Sequence, residues 1–226
     1  MGEMISFTAS EGDHYKGYLA PSKSGSGPGV IVIQEWWGLV GHIKDVADRF
    51  AAEGFTALAP DFYKGETTTE PDEAGSLMMA LNISETANIL QKAILTLLAH
   101  PTVTGDGVGV VGFCMGGQLS LFAAAQTDEI GACVDYYGIH PKVDVSYRDI
   151  NCPVLGFFAE HDDYASPEAV KAKDVSLSSF GKPHEFITYP GTHHAFFNSD
   201  RPEVYNREAA EDSWKRMVEF FRKNLG

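Results

Sequence analysis

Cys114 is the residue of this sequence best suited to act as a nucleophile. It follows an apolar run, Val108 to Phe113, and has Gly112 two positions before it and Gly116 two positions after it. This spacing is typical of a nucleophile elbow, a strained strand-to-helix turn where flanking residues with a Cβ would collide with the backbone. A thiol at such a turn predicts covalent acyl transfer through a thioester. The alternative is a buried structural cysteine at the end of a strand.

A cysteine nucleophile needs a base to take its proton and a carboxylate to orient that base. The sequence has two candidates for each role, and each pair lies in the loop after a predicted strand: Asp162 and Asp163, then His193 and His194. The chain order nucleophile, acid, histidine is that of α/β-hydrolases. Two adjacent histidines point in different directions, so only one is expected to reach Cys114. We favour His194 and Asp162, with their neighbours as the alternatives.

Two backbone N–H groups are predicted to form an oxyanion hole. One belongs to Met115, which follows the nucleophile, and the other to Trp36, in the loop after an early buried strand. Three further aromatic residues are candidates for the wall of a substrate pocket, with packing in the core as the alternative for each: Trp37, Tyr63 and Tyr137.

The elements that must position these residues alternate between strands and helices. Continuous β-branched runs predict strands buried on both faces, and amphipathic segments predict the helices between them. The predicted strands are 5–8, 15–19, 29–33, 55–59, 108–113, 132–137, 154–159 and 185–189, and the predicted helices are 42–53, 84–100, 115–125, 167–180 and 207–225. The first two strands form an antiparallel pair with a turn at 10–13, and the polar segment 66–73 is a predicted loop.

This alternation predicts an α/β fold with a mostly parallel central sheet and helices on both faces. Together with the order of nucleophile, acid and histidine, it predicts the α/β-hydrolase fold. The length of 226 residues suits one domain spanning residues 1–226. Lys and Arg total 17 against 31 Asp and Glu, and the resulting charge of −14 disfavours nucleic acids and anionic membranes as partners. We expect a small-molecule substrate and a cytoplasmic protein that is a monomer or a small homo-oligomer.

No cofactor or metal is predicted. The three cysteines do not have the spacing of a zinc site. Gly107, Gly109 and Gly112 formally fit a dinucleotide-binding fingerprint, but in a true fingerprint the glycines follow the strand and open the helix. Here they fall within a predicted strand.

Six motifs, in order along nearly the whole chain, resemble those of the dienelactone hydrolase family. They are Gln34–Gly38, Pro60–Tyr63, Gly112–Gly117, Tyr136–Gly138, Glu160–Asp162 and Gly191–Phe196. The resemblance implies a carboxylic-ester hydrolase of the carboxymethylenebutenolidase type with a triad of Cys114, Asp162 and His194. It also implies that Glu35 holds the thiol at rest, which protects it from oxidation because the thiolate is the oxidisable form.

The sequence departs from the family at the arginines that bind a substrate carboxylate. Asn198 stands four residues after the histidine, and no basic residue occurs between Lys64 and Lys92. Arg201 is the remaining candidate for this role. A neutral ester is therefore a competing substrate. Hypotheses from other classes are a non-hydrolytic small-molecule binder on the same fold and a redox role for Cys114.

Overall fold

An eight-stranded sheet forms the centre of the protein in the computed structural model, which describes residues 1–8 and 14–226. The strand order is β1-β2-β4-β3-β5-β6-β7-β8. Strands β3 to β8 are mutually parallel, and β2 is antiparallel to both β1 and β4. The strands are β1 (Glu3–Thr8), β2 (His14–Ala20), β3 (Gly27–Ile33), β4 (Thr56–Pro60), β5 (Val103–Phe113), β6 (Ile130–Tyr136), β7 (Val154–His161) and β8 (His184–His193).

Helices cover both faces of this sheet. One face carries α1 (Gly41–Ala52) and α6 (Arg207–Leu225), and the other carries α3 (Ile83–Leu98), α4 (Met115–Gln126) and α5 (Pro167–Ser179). This arrangement confirms the predicted fold class. The predicted turn at 10–13 lies outside the described residues. No helix in the described part of the chain is long and apolar enough to cross a bilayer.

Burial on both faces explains why the parallel strands read as continuous apolar runs. In β3, Val30 and Val32 contribute to the core beneath α1 and α6, whereas Ile31 and Ile33 contribute to the core beneath α3 and α4. All four side chains are buried. A strand with such neighbours on both sides has no solvated face, so the polar alternation of an exposed strand is absent.

A helix that the sequence did not predict, α2 (Pro71–Ala80), begins within the expected 66–73 loop. Its sequence signals are Pro71 in the first turn and two acidic residues, Asp72 and Glu73, near the positive end of the helix dipole. Only Ala74 of this helix is buried. An amphipathic stripe was therefore missing, and a search for apolar periodicity did not detect the helix.

Candidate active site

Cys114 occupies a strained backbone conformation between β5 and α4. Its φ of 56° and ψ of −122° lie in a region that residues with a side chain rarely adopt. Its N–H donates to the Tyr136 carbonyl (3.1 Å) and its carbonyl accepts from the Gly117 N–H (2.9 Å), which fixes the turn from both sides. The residue is only 7% exposed.

The two glycines around Cys114 allow the strand and helix to approach each other. A Cβ at Gly112 would lie 1.8 Å from the Gly116 carbonyl oxygen, and a Cβ at Gly116 would lie 2.5 Å from the carbonyl oxygen of Gln34. No real Cβ tolerates such contacts without a backbone shift. The structure therefore has the elbow geometry that the glycine spacing predicts. The three glycines of the dinucleotide-like pattern lie inside β5, as the sequence indicated.

Asp162 and His194 form a hydrogen-bonded pair beyond the ends of β7 and β8. Nδ1 of His194 lies 2.8 Å from Oδ2 of Asp162, whose side chain is fully buried. The other oxygen, Oδ1, accepts from the N–H groups of Tyr164 (2.8 Å) and Ala165 (2.9 Å). Both carboxylate oxygens are thus occupied, and the carboxylate holds the imidazole in one orientation.

Asp163 and His193, the alternative acid and histidine, are placed differently from Asp162 and His194. Asp163 and His193 both lie on the wall of the cavity that contains Cys114. Both are exposed, and the His193 ring lies 5.4 Å from the ring of His161. The structure therefore brings Asp162 and His194, rather than Asp163 and His193, into the buried pair.

The electrostatic surroundings of His194 favour its charged form. Burial favours the neutral ring, but the adjacent Cys114 sulfur and the hydrogen bond to Asp162 outweigh it and raise the pKa of His194 to about 10. Nε2 of the ring is buried and has no hydrogen-bond partner of ordinary geometry among the described residues. This nitrogen is available to exchange a proton with the sulfur or with a substrate atom.

Glu35 lies directly after β3 and is buried in the same cavity. Its Oε2 accepts a hydrogen bond of 2.6 Å from Nδ2 of Asn198, and its Oε1 has no partner among the described residues. Burial raises the pKa of Glu35 to about 7, although the charge of His194 and the Asn198 hydrogen bond both act in the opposite direction. This carboxyl group therefore changes charge near neutral pH.

The two predicted oxyanion donors lie beside the nucleophile. Met115 is the first residue of α4, so its N–H has no acceptor within the helix. Trp36 is in the loop after β3, and within the described part of the chain its N–H has no hydrogen-bond acceptor. Neither N–H group is thus engaged by an acceptor that the described residues supply.

The catalytic cavity, as we name the space around Cys114 and His194, has a volume of about 200 Å³. Trp36, Trp37 and Arg201 line it, as does Tyr164, which the sequence did not single out. The Tyr164 ring lies 5.0 Å from the ring of His194. Its position next to Asp162 and His194 could not be predicted from a lone tyrosine in a polar loop.

Tyr63 and Tyr137 do not line this cavity within the described structure. Tyr137 is fully buried, with its ring 4.9 Å from that of His194 and 5.4 Å from that of Phe196. The Tyr63 hydroxyl donates to Sδ of Met115 at 3.2 Å. Both tyrosines pack around the elbow, which is the core arrangement that the sequence left as an alternative.

Arg201 lies at the edge of the catalytic cavity. Its guanidinium carbon is 5.1 Å from the centre of the Trp37 ring, and its Nε donates to the carboxylate of Glu203. Among residues 1–8 and 14–226, no group of three His, Cys, Asp or Glu side chains is arranged to hold a metal ion.

The β5–α4 elbow and the acid and histidine after β7 and β8 define the class of protein, an α/β-hydrolase. The sequence model of the dienelactone hydrolase family matches residues 15–225. The chain therefore belongs to the dienelactone hydrolase family, and this makes it a carboxylic-ester hydrolase. Both findings confirm what the sequence motifs implied.

Individual relatives agree with this assignment. "Protein usf" of Aquifex pyrophilus is 39% identical, and a protein of Aquifex aeolicus provisionally named a carboxymethylenebutenolidase is 33% identical; each alignment covers 100% of both chains. The crystal structure of a provisionally assigned dienelactone hydrolase from Klebsiella pneumoniae has a TM-score of 0.86 and 28% identity. It covers 98% of this chain and 99% of that one.

Proposed function

We propose that this protein hydrolyses a carboxylic ester or lactone through a Cys114-His194-Asp162 triad and a thioester acyl-enzyme. The observation that carries this proposal is that the nucleophile elbow and the Asp162–His194 pair lie at the same edge of the sheet. Within the pair, Nδ1 of His194 is 2.8 Å from Oδ2 of Asp162. The strained Cys114 backbone presents the sulfur to the same cavity that the His194 ring faces.

In this mechanism, His194 takes the thiol proton of Cys114, and the resulting thiolate attacks the carbonyl carbon, so that the carbonyl oxygen becomes an oxyanion. The N–H groups of Trp36 and Met115 donate to that oxyanion. As the intermediate collapses, the carbon–oxygen bond of the ester breaks and the leaving oxygen takes a proton from the His194 imidazolium. Water then attacks the thioester, His194 accepts its proton, and the carboxylic acid and the Cys114 sulfur are released.

Glu35 is proposed to set the resting charge of the site. It lies in the catalytic cavity next to His194, and its pKa of about 7 allows both protonation states near neutral pH. A protonated Glu35 adds no negative charge beside the sulfur, whereas an ionised one disfavours a thiolate by like-charge repulsion. The ionised form thus acts in the direction of the thiol-holding role that the family resemblance implies.

Neutral esters or lactones are the substrates that the cavity supports best. Asn198, in the position where the family has an arginine, is uncharged and is already bonded to Glu35. Arg201 is engaged by Glu203 and Trp37. A substrate carboxylate would therefore meet an uncharged Asn198 and an Arg201 whose charge is offset by Glu203.

The test is hydrolysis of p-nitrophenyl acetate by the wild type, Cys114→Ala and the matched control Cys152→Ala, which removes another buried thiol. We expect Cys114→Ala to abolish turnover and Cys152→Ala to retain it. Intact-protein mass spectrometry of the acid-quenched wild type should show an acetyl adduct on Cys114. Turnover by Cys114→Ala at the wild-type rate would overturn the proposal.

A further inference from the structure

A second cavity adjoins the catalytic one. This outer chamber, as we name it, has a volume of about 380 Å³ and is lined by residues that include Trp37, Val40, Thr68, Pro71, Arg201 and Glu203. Trp37 and Arg201 line both cavities, so the two meet at this pair. Neither Cys114 nor His194 lines the outer chamber.

Trp37 and Arg201 form the boundary between the two spaces. Trp37 is 8% exposed and packs against Trp36 at 5.0 Å between ring centres, so it is the fixed part of the boundary. The Arg201 side chain is 38% exposed and is held by the Trp37 ring and the Glu203 carboxylate. Since exposed ion pairs contribute little stability, Arg201 can change rotamer at small cost.

Size indicates that the catalytic cavity alone is not the whole binding site. Small-molecule sites occupy roughly 300–1,000 Å³. The catalytic cavity, about 200 Å³, lies below this range, whereas the two cavities taken together lie within it. A substrate larger than the catalytic cavity can reach the outer chamber past Arg201, which lines both spaces.

The lining of the outer chamber selects an uncharged group. Val40, Pro71 and the face of Trp37 provide an apolar wall. Two carboxylates, Asp200 and Glu203, lie at the same chamber and would repel an anionic substituent. The single cation, Arg201, is already paired with Glu203 among the described contacts.

We propose that the outer chamber binds the uncharged alkyl or aryl substituent of the ester, and that Arg201 on Trp37 is the residue that limits the size of this substituent. This inference rests on the proposed function, because it assigns the part of the substrate remote from the scissile carbonyl. Arg201 is then a specificity-determining residue for neutral substrates rather than a carboxylate ligand.

Two ester series test the proposal, since either the acyl or the alcohol part could extend into the chamber. One series is p-nitrophenyl acetate to octanoate, and the other is methyl to octyl acetate, followed by acid release. The readout is the ratio of kcat/KM for the longest and shortest ester in each series. The variants are Arg201→Ala, which opens the boundary, and Thr69→Trp, which fills the chamber from an exposed loop position. The matched control is Arg207→Ala, on the exposed start of α6.

In at least one series, Thr69→Trp should lower the long-to-short ratio about tenfold and Arg201→Ala should raise it several-fold. One methylene in a hydrophobic pocket is worth roughly 10–200-fold in discrimination. Arg207→Ala should leave the ratio unchanged. Parallel changes for long and short esters, or a loss confined to carboxylated lactones in Arg201→Ala, would overturn the chamber assignment while leaving the triad intact. Absence of turnover by the wild type on every ester would instead overturn the proposed function, and this inference with it.

Discussion

Burial of Glu35 lowers the stability of the folded protein, because its carboxyl group is removed from water. A carboxyl group in ordinary solvent is ionised at neutral pH, but Glu35 is 1% exposed and has one oxygen without a partner in the described structure. Asn198 supplies one hydrogen bond, which is less than an ionised carboxylate needs to offset the loss of water. Such a cost at a buried position is typical of functional sites.

This residue predicts a pH-dependent stability. Burial raises the pKa of Glu35 from 4.5 to about 7. An acid whose folded-state pKa is raised contributes stability that is fully present below pH 4.5 and is lost as pH rises through 7. Relative to Glu35→Gln, the free energy of unfolding of the wild type should therefore fall by about 3 kcal/mol over this window. Urea unfolding of both proteins from pH 4.5 to 8 measures the difference.

A flat difference between wild type and Glu35→Gln across that range would contradict the raised pKa. Asn198→Ala offers a second check, because loss of its hydrogen bond removes stabilisation of the ionised form. The pKa of Glu35 should rise further in this variant. Carboxyl ¹³C NMR with glutamate labelling, assigned by comparison with Glu35→Gln, follows the titration directly.

At the scale of elements, the β5–α4 elbow depends on close contact with the loop after β3. Gly116 is the contact residue on α4. A Cβ at this position would lie 2.6 Å from the carbonyl oxygen of Ile33 and 2.5 Å from that of Gln34, so its absence leaves room for both. Gln34 immediately precedes Glu35 and Trp36. Any shift that relieves a clash at Gly116 therefore moves the proposed oxyanion donor and the buried acid together.

Gly116→Ala should lower the free energy of unfolding by about 1–3 kcal/mol, the usual range for an overpacked core position. It should also lower kcat, because the loop that carries Trp36 is displaced. The control is Gly41→Ala at the start of α1, where a new Cβ meets no atom within 4 Å. That control should be neutral or stabilised by up to about 1 kcal/mol. Equal unfolding midpoints for the two variants would show that the elbow tolerates a wider separation.

The secondary-structure elements differ in how well the sequence predicts them. The elbow was predictable because Gly112, Cys114 and Gly116 are close together in the chain and each is required by local backbone geometry. The parallel strands were predictable because they are apolar throughout. Helix α2 was not, since it buries only one residue and has no apolar stripe.

Contacts between distant elements were also beyond prediction. Behind the elbow, Nζ of Lys173 on α5 donates to Oδ2 of Asp135 (2.8 Å) and to the Gly138 carbonyl (2.7 Å). Oδ1 of Asp135 accepts from the Gly138 N–H, which completes a buried network at the end of β6. No spacing in the sequence relates a lysine to an aspartate 38 residues away. The same is true of the Asn198–Glu35 bond and of the position of Tyr164 over His194.

At the scale of the whole molecule, the site operates in the field of a strongly acidic protein. The formal charge is −14. Around the cavities, Asp163, Asp200 and Glu203 add local negative charge. Such a field lowers the local concentration of anionic ligands and leaves neutral ones unaffected. Global charge and cavity chemistry thus favour the same class of substrate.

This field predicts that salt affects a charged substrate but not a neutral one of similar shape. The mono-p-nitrophenyl ester of succinic acid carries a carboxylate, and p-nitrophenyl butyrate is its neutral counterpart. Raising ionic strength from about 0.01 M to 0.15 M shortens the screening length from about 30 Å to 8 Å. The kcat/KM for the succinate ester should therefore rise several-fold, because repulsion is screened, while that for butyrate stays constant. A decrease for the succinate ester would reveal net attraction at the cavity, with the charge of Arg201 outweighing the total charge of the molecule.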